Sequence, residues 1–443
     1  MRRHFAGVGG SGMSALALYL AERGHEVSGS DRLFDQGGGQ EIRPYLERAG
    51  IRIFPQDGSG LDRNCQLVVS TAIEGDTPEV VRARELGLGI LHRSEILAEA
   101  CRQGRGIAIS GTSGKSTVTA MVYACLREAG LAPSVVSGAP LLELRAQGLW
   151  GNACGGKGDW VVFEADESDG TLVRYHPEIG LLLNLDRDHK ETAELEEIFR
   201  TFRKQVSGAF VTHAHRPECV AIAGPEGLLF GECQDASLNR NSVSFTLEGT
   251  EFVVPFPGAH MIENALAAAV TARAAGVPLA TSARALAKFA GVHRRHERIG
   301  AANGITVFDD FAHNPAKVAA ALRAFQATAP DGRVVALFQP HGYGPLRFLL
   351  QDFAQSFREA LRPQDALLIL PVYDAGGTAD RSITSQDLAR LLEGCGLQIH
   401  VPSRADAPVL AASLARPGDV IASMGARDPG LPAFAQGLLA ALG

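Results

Sequence analysis

The sequence predicts an α/β protein of three domains built on largely parallel sheets. At 443 residues, the chain is longer than a typical single domain. Short apolar strands alternate with helical patterns along its whole length. Two glycine-rich turns, beginning at Gly7 and at Gly111, each follow a predicted strand and precede a predicted helix. Strands and helices that alternate in this way are typical of parallel sheets covered by helices.

The first predicted domain spans residues 1–104. A short apolar strand leads into the turn Gly7–Gly12, an apolar helix follows, and a second strand is predicted at 26–31. A strand, a glycine turn, a helix and a second strand in this order are typical of a Rossmann-like domain. The other elements predicted here are the strand 67–70, the helix 78–86 and the strand 89–91.

The central domain is predicted at residues 105–297 and the third domain at 298–443. In the central domain, the strand 106–110 runs into the loop Gly111–Ser116, and a helix is predicted from Thr117, as in a P-loop ATPase-like domain. The third domain is predicted to be Rossmann-like and α/β. Further elements of these two domains are the helix 263–275 and the strands 160–163, 179–185, 306–308, 334–338, 366–370 and 419–423.

The composition argues against several classes of protein. A formal net charge of -7 provides no basic field to attract a nucleic acid. The seven cysteines form no Cys-x-x-Cys pair, which is typical of reduced thiols in the cytoplasm. No apolar run reaches the roughly 18 residues that a membrane span needs. We therefore expect a cytoplasmic enzyme that binds neither nucleic acid nor membrane.

The loop Gly111–Ser116 carries the most specific chemistry in the sequence. A glycine-rich loop between a strand and a helix turns several backbone N–H groups toward one anion. Lys115 adds a cation, and Ser116 offers a hydroxyl at the position that usually binds magnesium. Ile109 stands where the common motif has its first glycine, which leaves the shorter form G-x-x-G-K-S. The predicted ligands are ATP and Mg²⁺.

Two polar segments follow buried strands of the central domain. Carboxylates of Glu164–Asp169 are placed where they can share the magnesium of a phosphate loop across a sheet end. In Asn184–His189, the imidazole of His189 is of the kind that binds metals. Taken alone, each segment is more typical of a solvated loop. The scattered histidines, which have no cysteine partners, do not indicate a structural zinc site.

The first glycine loop supports a competing class of enzyme. Gly7-x-Gly9-x-x-Gly12, with Asp31 downstream, fits the dinucleotide fingerprint of oxidoreductases. The pattern itself requires only that a diphosphate approaches the backbone closely, which the diphosphate of a nucleotide sugar does equally well. A dehydrogenase has no need of the second loop at Gly111.

Taken together, these motifs resemble those of the Mur ligases over essentially the whole chain. The resemblance implies an ATP-dependent amide ligase of peptidoglycan synthesis. It is strongest to the branch that joins UDP-N-acetylmuramate to L-alanine, with some features of the muropeptide ligases. The segments that carry it are His4–Met13, Gly29–Asp31, Gly111–Ser116, Glu164–Asp169, Asp188–His189, Arg294–Arg295, Asp309–Pro315 and Gln339–His341.

The resemblance also implies which residues hold each substrate. The UDP-sugar is expected on Gly9, Gly10, Ser11, Gly12, Met13, Asp31 and Ser70. ATP is expected on Gly111, Thr112, Ser113, Gly114, Lys115, Ser116, Thr117, His260, Asn264, Arg295 and Asp310. The implied magnesium ligands are Ser116, Glu164 and His189, and the amine acceptor is expected at His313, His341 and Arg347. The implied catalytic residues are Lys115, His189, Arg295 and His313.

The implied reaction begins with phosphoryl transfer from ATP to the lactyl carboxylate of the sugar. The amine attacks the resulting acyl phosphate, and phosphate leaves. Lys115, magnesium and the loop amides stabilise the charge that develops on the phosphoryl oxygens. Because the parts of this site lie on three domains, we expect domain closure to assemble them and to exclude water.

Several positions depart from the alanine-adding branch. Ser113 replaces a histidine and Ser116 replaces a threonine, and neither change removes a required donor. Met261 replaces the first asparagine of the adenine motif, which predicts looser recognition of the base. Asn314 replaces a second histidine.

The larger departure lies after Gln339–His341. Gly342 and Pro345 stand where the alanine-adding enzymes have two arginines that bind the carboxylate of the incoming amino acid. A charge-assisted hydrogen bond contributes roughly 1.5–3 kcal/mol, so losing both arginines weakens binding of free alanine by about a hundredfold or more. Arg347, in a neighbouring turn, is a candidate replacement.

The acceptor therefore remains open between L-alanine and a short peptide such as L-Ala-D-Glu-diaminopimelate, which the muropeptide ligases recycle. A third alternative is a nucleotide-binding protein without ligase activity, because changes at an acceptor site are what a loss of activity leaves behind. We expect a monomer or a weak homodimer.

Overall fold

The structure is a computed structural model of the chain and describes residues 1–166, 170–185, 192–374, 376 and 379–443. These residues divide into two compact units. The first comprises residues 1–236, 244–255 and 260–292, and the second comprises residues 237–243, 256–259 and 293–443. Both units contain largely parallel sheets with interleaved helices, so the predicted α/β class is confirmed. Within the described ranges, no helix combines the length and the apolar character needed to cross a membrane.

The first unit begins with a parallel sheet. Its strands are β1 (Arg2–Ala6), β2 (Val27–Ser30), β3 (Arg52–Phe54), β4 (Cys65–Val69) and β5 (Ile90–His92). They lie in the order β3-β2-β1-β4-β5, a doubly wound order in which ligands bind at the carboxyl ends of the strands, where the order reverses. The interleaved helices are α1 (Ser11–Glu22), α2 (Arg32–Asp35), α3 (Arg43–Arg48), α4 (Pro78–Leu86) and α5 (Arg93–Gln103).

A buried polar network joins β1, β2 and α4. His4 Nδ1 lies 2.9 Å from Ser28 Oγ, and His4 Nε2 lies 3.3 Å from Ser30 Oγ. Ser30 Oγ donates to Glu79 Oε1 at 2.7 Å. Burial lowers the pKa of His4 to about 4, so its ring is neutral at pH 7 and supplies one donor and one acceptor.

The second sheet of this unit contains the glycine loop at Gly111. Its strands are β6 (Arg105–Ser110), β7 (Ser134–Val136), β8 (Ala153–Cys154), β9 (Trp160–Glu164), β10 (Ile179–Leu182), β11 (Phe210–His213) and β12 (Leu228–Phe230). The order is β12-β11-β10-β6-β9-β7-β8, and β8 runs antiparallel to β7. The strands β13 (Gln234–Leu238), β14 (Val243–Leu247) and β15 (Thr250–Val254) follow in the chain. The helices are α6 (Lys115–Glu128), α7 (Leu142–Ala146), α8 (Thr192–Gln205), α9 (Pro217–Ala223), α10 (Ala259–Ala274) and α11 (Leu279–Ala287).

Helix α1 links the first and second sheets. Asn152 Nδ2 donates to Ser11 O at 3.0 Å and to Ser14 Oγ at 2.9 Å. Every residue of α1 from Met13 to Leu20 is buried, which explains why its sequence is apolar on all faces. Residues of both sheets, including Phe5 and Phe163, therefore belong to one hydrophobic cluster.

The second unit is built on one sheet. Its strands are β16 (Glu297–Ala302), β17 (Ile305–Asp310), β18 (Val334–Phe338), β19 (Ala366–Ile369), β20 (Gln398–His400) and β21 (Val420–Met424). They lie in the order β16-β17-β21-β18-β19-β20, and β16 runs antiparallel to β17. All residues of β18 and β21 are buried, as expected for central strands covered on both faces. The helices are α12 (Pro315–Thr328), α13 (Tyr343–Phe348), α14 (Leu350–Ala360), α15 (Ser385–Leu391), α16 (Ala407–Leu414) and α17 (Leu431–Ala440).

A buried ion pair ties β17 to the segment that follows β21. Arg294 Nε donates to Asp309 Oδ2 at 2.8 Å, and the two side chains are 8% and 0% exposed. The same guanidinium donates to the carbonyl oxygens of Gly425 at 2.8 Å and Ala426 at 3.2 Å. Burial raises the pKa of Asp309 to about 6, and Arg294 acts in the opposite direction.

Element boundaries differ from the predictions where backbone geometry decides them. Helix α6 begins at Lys115 rather than Thr117, because the positive φ of Gly114 ends the loop one residue before it. The antiparallel strand β16 was not predicted. Its sequence, ERIGAA, contains a glycine and has an irregular register at Gly300, so it lacks a clean alternation of apolar and polar residues.

Replacing Arg294 with methionine is expected to lower the free energy of unfolding by about 3–5 kcal/mol, because Asp309 is left buried without its partner. Urea denaturation followed by circular dichroism measures the change. Arg323→Met is the matched control, since Arg323 is exposed on α12, and a shift within about 0.5 kcal/mol is expected there. Equal shifts in the two variants would refute the structural role of the pair.

Candidate active site

The phosphate loop joins β6 to α6 and depends on its two glycines. Gly111 has φ 126° and Gly114 has φ 85°, conformations that favour glycine. A Cβ on Gly111 would lie 3.0 Å from Leu183 Cβ, and a Cβ on Gly114 would lie 3.0 Å from Asn264 Oδ1. The shortened motif therefore keeps the glycines that its close packing requires.

Asn184 holds the loop from the neighbouring strand. Its Oδ1 accepts from Thr112 Oγ1 and from Ser113 N, both at 2.9 Å, and its Nδ2 donates to Ser113 O at 3.1 Å. Asn184 lies in a polar segment of the sequence in which only His189 was predicted to have a role. Its position after β10, the neighbour of β6 in the sheet, is the feature that indicates this role.

The side chains at the start of α6 lie at the mouth of the loop. Lys115 Nζ donates to Gly111 O at 2.6 Å and lies 3.8 Å from Asp166 Oδ1. Ser116 and Thr117 form the first turn of the helix, and Ser116 is buried. The cation, the hydroxyl and the helix N-terminus are thus gathered at one edge of the sheet.

Glu164 lies at the same edge, on the other side of β6. It is the last residue of β9 and is paired in register with Ile109, two residues before the loop. Glu164 Oε1 accepts from Ser137 Oγ at 2.6 Å and from Gly138 N at 2.8 Å. Ser137 was not predicted, because only the sheet brings the end of β7 beside the end of β9.

Two other predicted segments can be placed only in part. His189 and Glu167–Asp169 lie outside the described residues.

Asn264 reaches the phosphate loop from α10, and its Nδ2 lies 3.9 Å from Met261 Sδ. His260 is exposed in the first turn of the same helix.

In the first sheet, Asp31 binds the glycine loop. Asp31 Oδ2 accepts from Gly9 N at 2.8 Å, and Oδ1 accepts from Leu33 N at 2.9 Å, which caps α2. Gly10 precedes α1 as its N-cap. A cavity of about 260 Å³ adjoins these residues, and its walls include Gly7, Asp31, Arg32, Gln56 and Thr77.

The other residues predicted for the UDP-sugar lie around the same edge. Ser11 and Gly12 begin α1, Met13 is buried beneath them, and Ser70 follows β4. Arg93 was not predicted. A Cβ on Gly12 would lie 2.8 Å from Arg93 Nη1, so the start of α5 brings a cation against the glycine loop. Its position directly after β5 is the feature of the sequence that indicates it.

The second unit brings His313 and His341 together. Their ring centroids are 5.0 Å apart in an edge-to-face arrangement. Burial lowers the pKa of His313 to about 4, so this ring is neutral at pH 7. His313 Nδ1 lies 2.8 Å from the carbonyl oxygen of Phe311 and therefore carries the hydrogen, which leaves Nε2 as an acceptor.

Three other predicted residues of this unit have their own contacts. Asp310 accepts from the backbone N–H groups of His296 at 2.7 Å and Ala312 at 2.8 Å, and burial raises its pKa. The Arg295 guanidinium lies 4.7 Å from the centroid of the Phe311 ring. The third is Arg347, which forms an ion pair of 2.8 Å with Asp380 and donates to Ser382 Oγ at 2.9 Å.

Comparisons with known proteins agree with this architecture. The family described as "Mur ligase family, catalytic domain" matches residues 2–105, "Mur ligase middle domain" matches residues 109–272, and "Mur ligase, glutamate ligase domain" matches residues 294–427. Among solved structures, UDP-N-acetylmuramate-alanine ligase from Thermotoga maritima has a TM-score of 0.81 and 25% identity, covering 99% of this chain and 98% of that chain. A murein peptide ligase from Psychrobacter arcticus shares the fold with a TM-score of 0.68 and 23% identity, covering 100% and 99% of the two chains.

Curated relatives match along nearly the whole chain. The UDP-N-acetylmuramate--L-alanine ligase of Streptomyces avermitilis is 36% identical and covers 96% of this chain and 95% of its own length. The enzyme of the same name from Rhizobium meliloti is 36% identical and covers 96% and 93%. The predicted family and the three-domain α/β architecture are thereby confirmed. The chain belongs to the Mur ligase family.

Proposed function

We propose that this protein is an ATP-dependent ligase that joins the lactyl carboxylate of UDP-N-acetylmuramate to L-alanine in peptidoglycan synthesis. One observation carries the proposal. The phosphate loop with Lys115 follows β6, and the fixed carboxylate of Glu164 ends the adjacent strand β9 of the same sheet. This arrangement suits a nucleoside triphosphate and its metal ion. Relatives 36% identical over 96% of the chain support the choice of sugar and amino acid.

In this proposal, the loop amides and Lys115 bind the phosphates of ATP and stabilise the charge that develops during transfer to the lactyl carboxylate. Asn184 keeps the loop amides in place through its contacts with Thr112 and Ser113. Asn264 contacts the loop and extends the ATP site along α10. Arg295 and Asp310 are the proposed nucleotide contacts of the second unit.

The residues around Glu164 fit a magnesium ion. Magnesium prefers oxygen ligands, and Glu164 and Ser116 supply a carboxylate and a hydroxyl. A Cβ on Gly138 would lie 3.2 Å from Glu164 Oε2, so glycine keeps the space beside that oxygen open. Bound there, the ion would neutralise charge on the phosphates of ATP. His189 remains a proposed third ligand.

The UDP-sugar is proposed to bind at the carboxyl edge of the first sheet. The cavity beside Gly7 and Asp31, together with Arg93 against Gly12, offers room and a positive charge for the nucleotide diphosphate. The amine acceptor is proposed to bind in the second unit beside His313 and His341. The alternative acceptor is a peptide, because Gly342 and Pro345 supply no carboxylate-binding side chain.

The proposed acceptor predicts which amine supports the release of phosphate. With ATP, Mg²⁺ and UDP-N-acetylmuramate, the protein is expected to release phosphate when L-alanine is added and to form the amide product. The measurement compares L-alanine with L-Ala-D-Glu-diaminopimelate as acceptor. Release with the tripeptide alone would replace the proposal with the peptide ligase, and release with neither would leave a nucleotide-binding protein.

Lys115→Ala is expected to lower phosphate release by about a thousandfold or more, because the main cation of the loop is removed. Steady-state turnover with saturating substrates measures the effect. Lys288→Ala is the matched control, since the side chain of Lys288 is 71% exposed and the variant should keep full activity. Substantial ligation by Lys115→Ala would remove the assignment of the loop.

Ser137→Ala is expected to weaken the apparent affinity for Mg²⁺ by about tenfold, because Glu164 loses one of the donors that orient it. Titration of phosphate release against Mg²⁺ measures this, and the rate at saturating Mg²⁺ should recover. Ser413→Ala, at an exposed position of α16, serves as the control. An unchanged Mg²⁺ dependence would argue against Glu164 as a ligand.

A further inference from the structure

We propose that Arg427 binds the carboxylate of the amine acceptor, and this inference rests on the function proposed above. Arg427 was not singled out in the sequence, where Arg347 was the candidate replacement for the arginines missing at positions 342 and 345. The structure offers a different cation at the same place. Its position, its anchoring and the absence of a partner among the described residues each support the assignment.

The topology places Arg427 between the two histidines of the acceptor site. Strand β21 lies between β17 and β18, and Met424 is in register with both Asp310 and Phe338. The chain continues from these parallel strands at one edge of the sheet. His313 follows β17, His341 follows β18, and Arg427 follows the strand between them. Ligands bind at such carboxyl edges in doubly wound sheets.

The backbone on both sides of Arg427 is held firmly. Before it, the carbonyl oxygens of Gly425 and Ala426 accept from Arg294. After it, the buried carboxylate of Asp428 forms an ion pair with Arg404 and accepts from Gly430 N at 2.7 Å. A residue between two anchored neighbours presents its side chain from a defined position, which lowers the entropic cost of binding.

The guanidinium of Arg427 is exposed and available. Among the residues that the structure describes, Arg427 has no hydrogen-bond or ion-pair partner. The neighbouring arginines of this unit are engaged, because Arg347 pairs with Asp380 and Arg381 pairs with Asp374. Arg404 is likewise paired, with the buried Asp428. An arginine left available at a sheet edge between two histidines fits an anion that is supplied by a substrate.

Gly342 and Arg427 occupy neighbouring space. A Cβ on Gly342 would lie 3.6 Å from Arg427 Nη1 and 3.5 Å from Pro345 Cδ. Gly342 has φ 152°, which disfavours residues with a side chain. The backbone that disfavours an arginine at position 342 therefore leaves the space beside His341 to the guanidinium of Arg427.

This placement favours a free α-amino acid as the acceptor. A planar guanidinium binds a carboxylate through two parallel hydrogen bonds. In free L-alanine, the carboxylate is attached to the carbon that carries the attacking amine. In a peptide, the same carboxyl group is part of an amide bond and carries no charge. Arg427 would therefore discriminate between the two acceptors left open by the sequence.

Arg427→Ala is expected to raise the KM for L-alanine by roughly tenfold to a hundredfold. The KM values for ATP and for UDP-N-acetylmuramate should stay within about twofold. L-alaninamide, which lacks the carboxylate, serves as the probe of mechanism, and its KM should be nearly the same in the two proteins. Arg427→Lys should recover part of the affinity, because lysine keeps the charge but not the planar fork.

Arg323→Ala is the matched control, since Arg323 is also exposed in the second unit. An unchanged KM for L-alanine in Arg427→Ala, with wild-type protein active on L-alanine, would overturn the assignment of Arg427 and leave the proposed ligase intact. A wild-type protein inactive with L-alanine but active with tripeptide would instead overturn the proposed acceptor. Equal losses for L-alanine and L-alaninamide would reduce Arg427 to a structural role and also refute the inference.

Discussion

The carboxyl edge of the sheet in the second unit depends on the buried contact between Arg294 and Asp309. The guanidinium satisfies one carboxylate on β17 and two carbonyl oxygens after β21, so it joins strands that are distant in sequence. A buried charge of this kind is tolerated only when all its partners are in place. The segment that carries Arg427 and the strand that leads to His313 are consequently held in one register. The acceptor site proposed at this edge would thus be supported by a residue that needs no contact with the acceptor.

The sequence was sufficient for the fold class and for the positions of most central strands. Residues such as Val334–Phe338 form continuous apolar runs because they are buried on both faces, and that pattern is local. The glycine loops were equally readable, since Gly111 and Gly114 require conformations that few other residues adopt. Patterns within short segments of the sequence therefore predicted the central strands and the candidate phosphate site. Membership of the Mur ligase family followed from the order of these motifs along the chain.

The supporting contacts could not be read in the same way. Asn184 and Ser137 act across neighbouring strands, whereas Arg93, after β5, approaches the loop after β1 although β4 lies between these strands. Which strands lie near one another is a property of the sheet order rather than of any short segment. Arg427 illustrates the difficulty most clearly. It lies 85 positions after Gly342 in the chain, yet its guanidinium adjoins that glycine because β21 is inserted beside β18. A motif that has lost an arginine can thus regain the charge from a segment that no local pattern connects with it.

Helix α1 joins two parts of the first unit that separate family descriptions cover. The family descriptions divide this region at residues 105 and 109, but α1 buries its whole apolar surface in a core shared by both sheets. Separating the two would expose that surface to water, at a cost that grows with the apolar area uncovered. The two segments are therefore one cooperative body in thermodynamic terms. Evolution can exchange such segments between proteins only together with the surface that joins them.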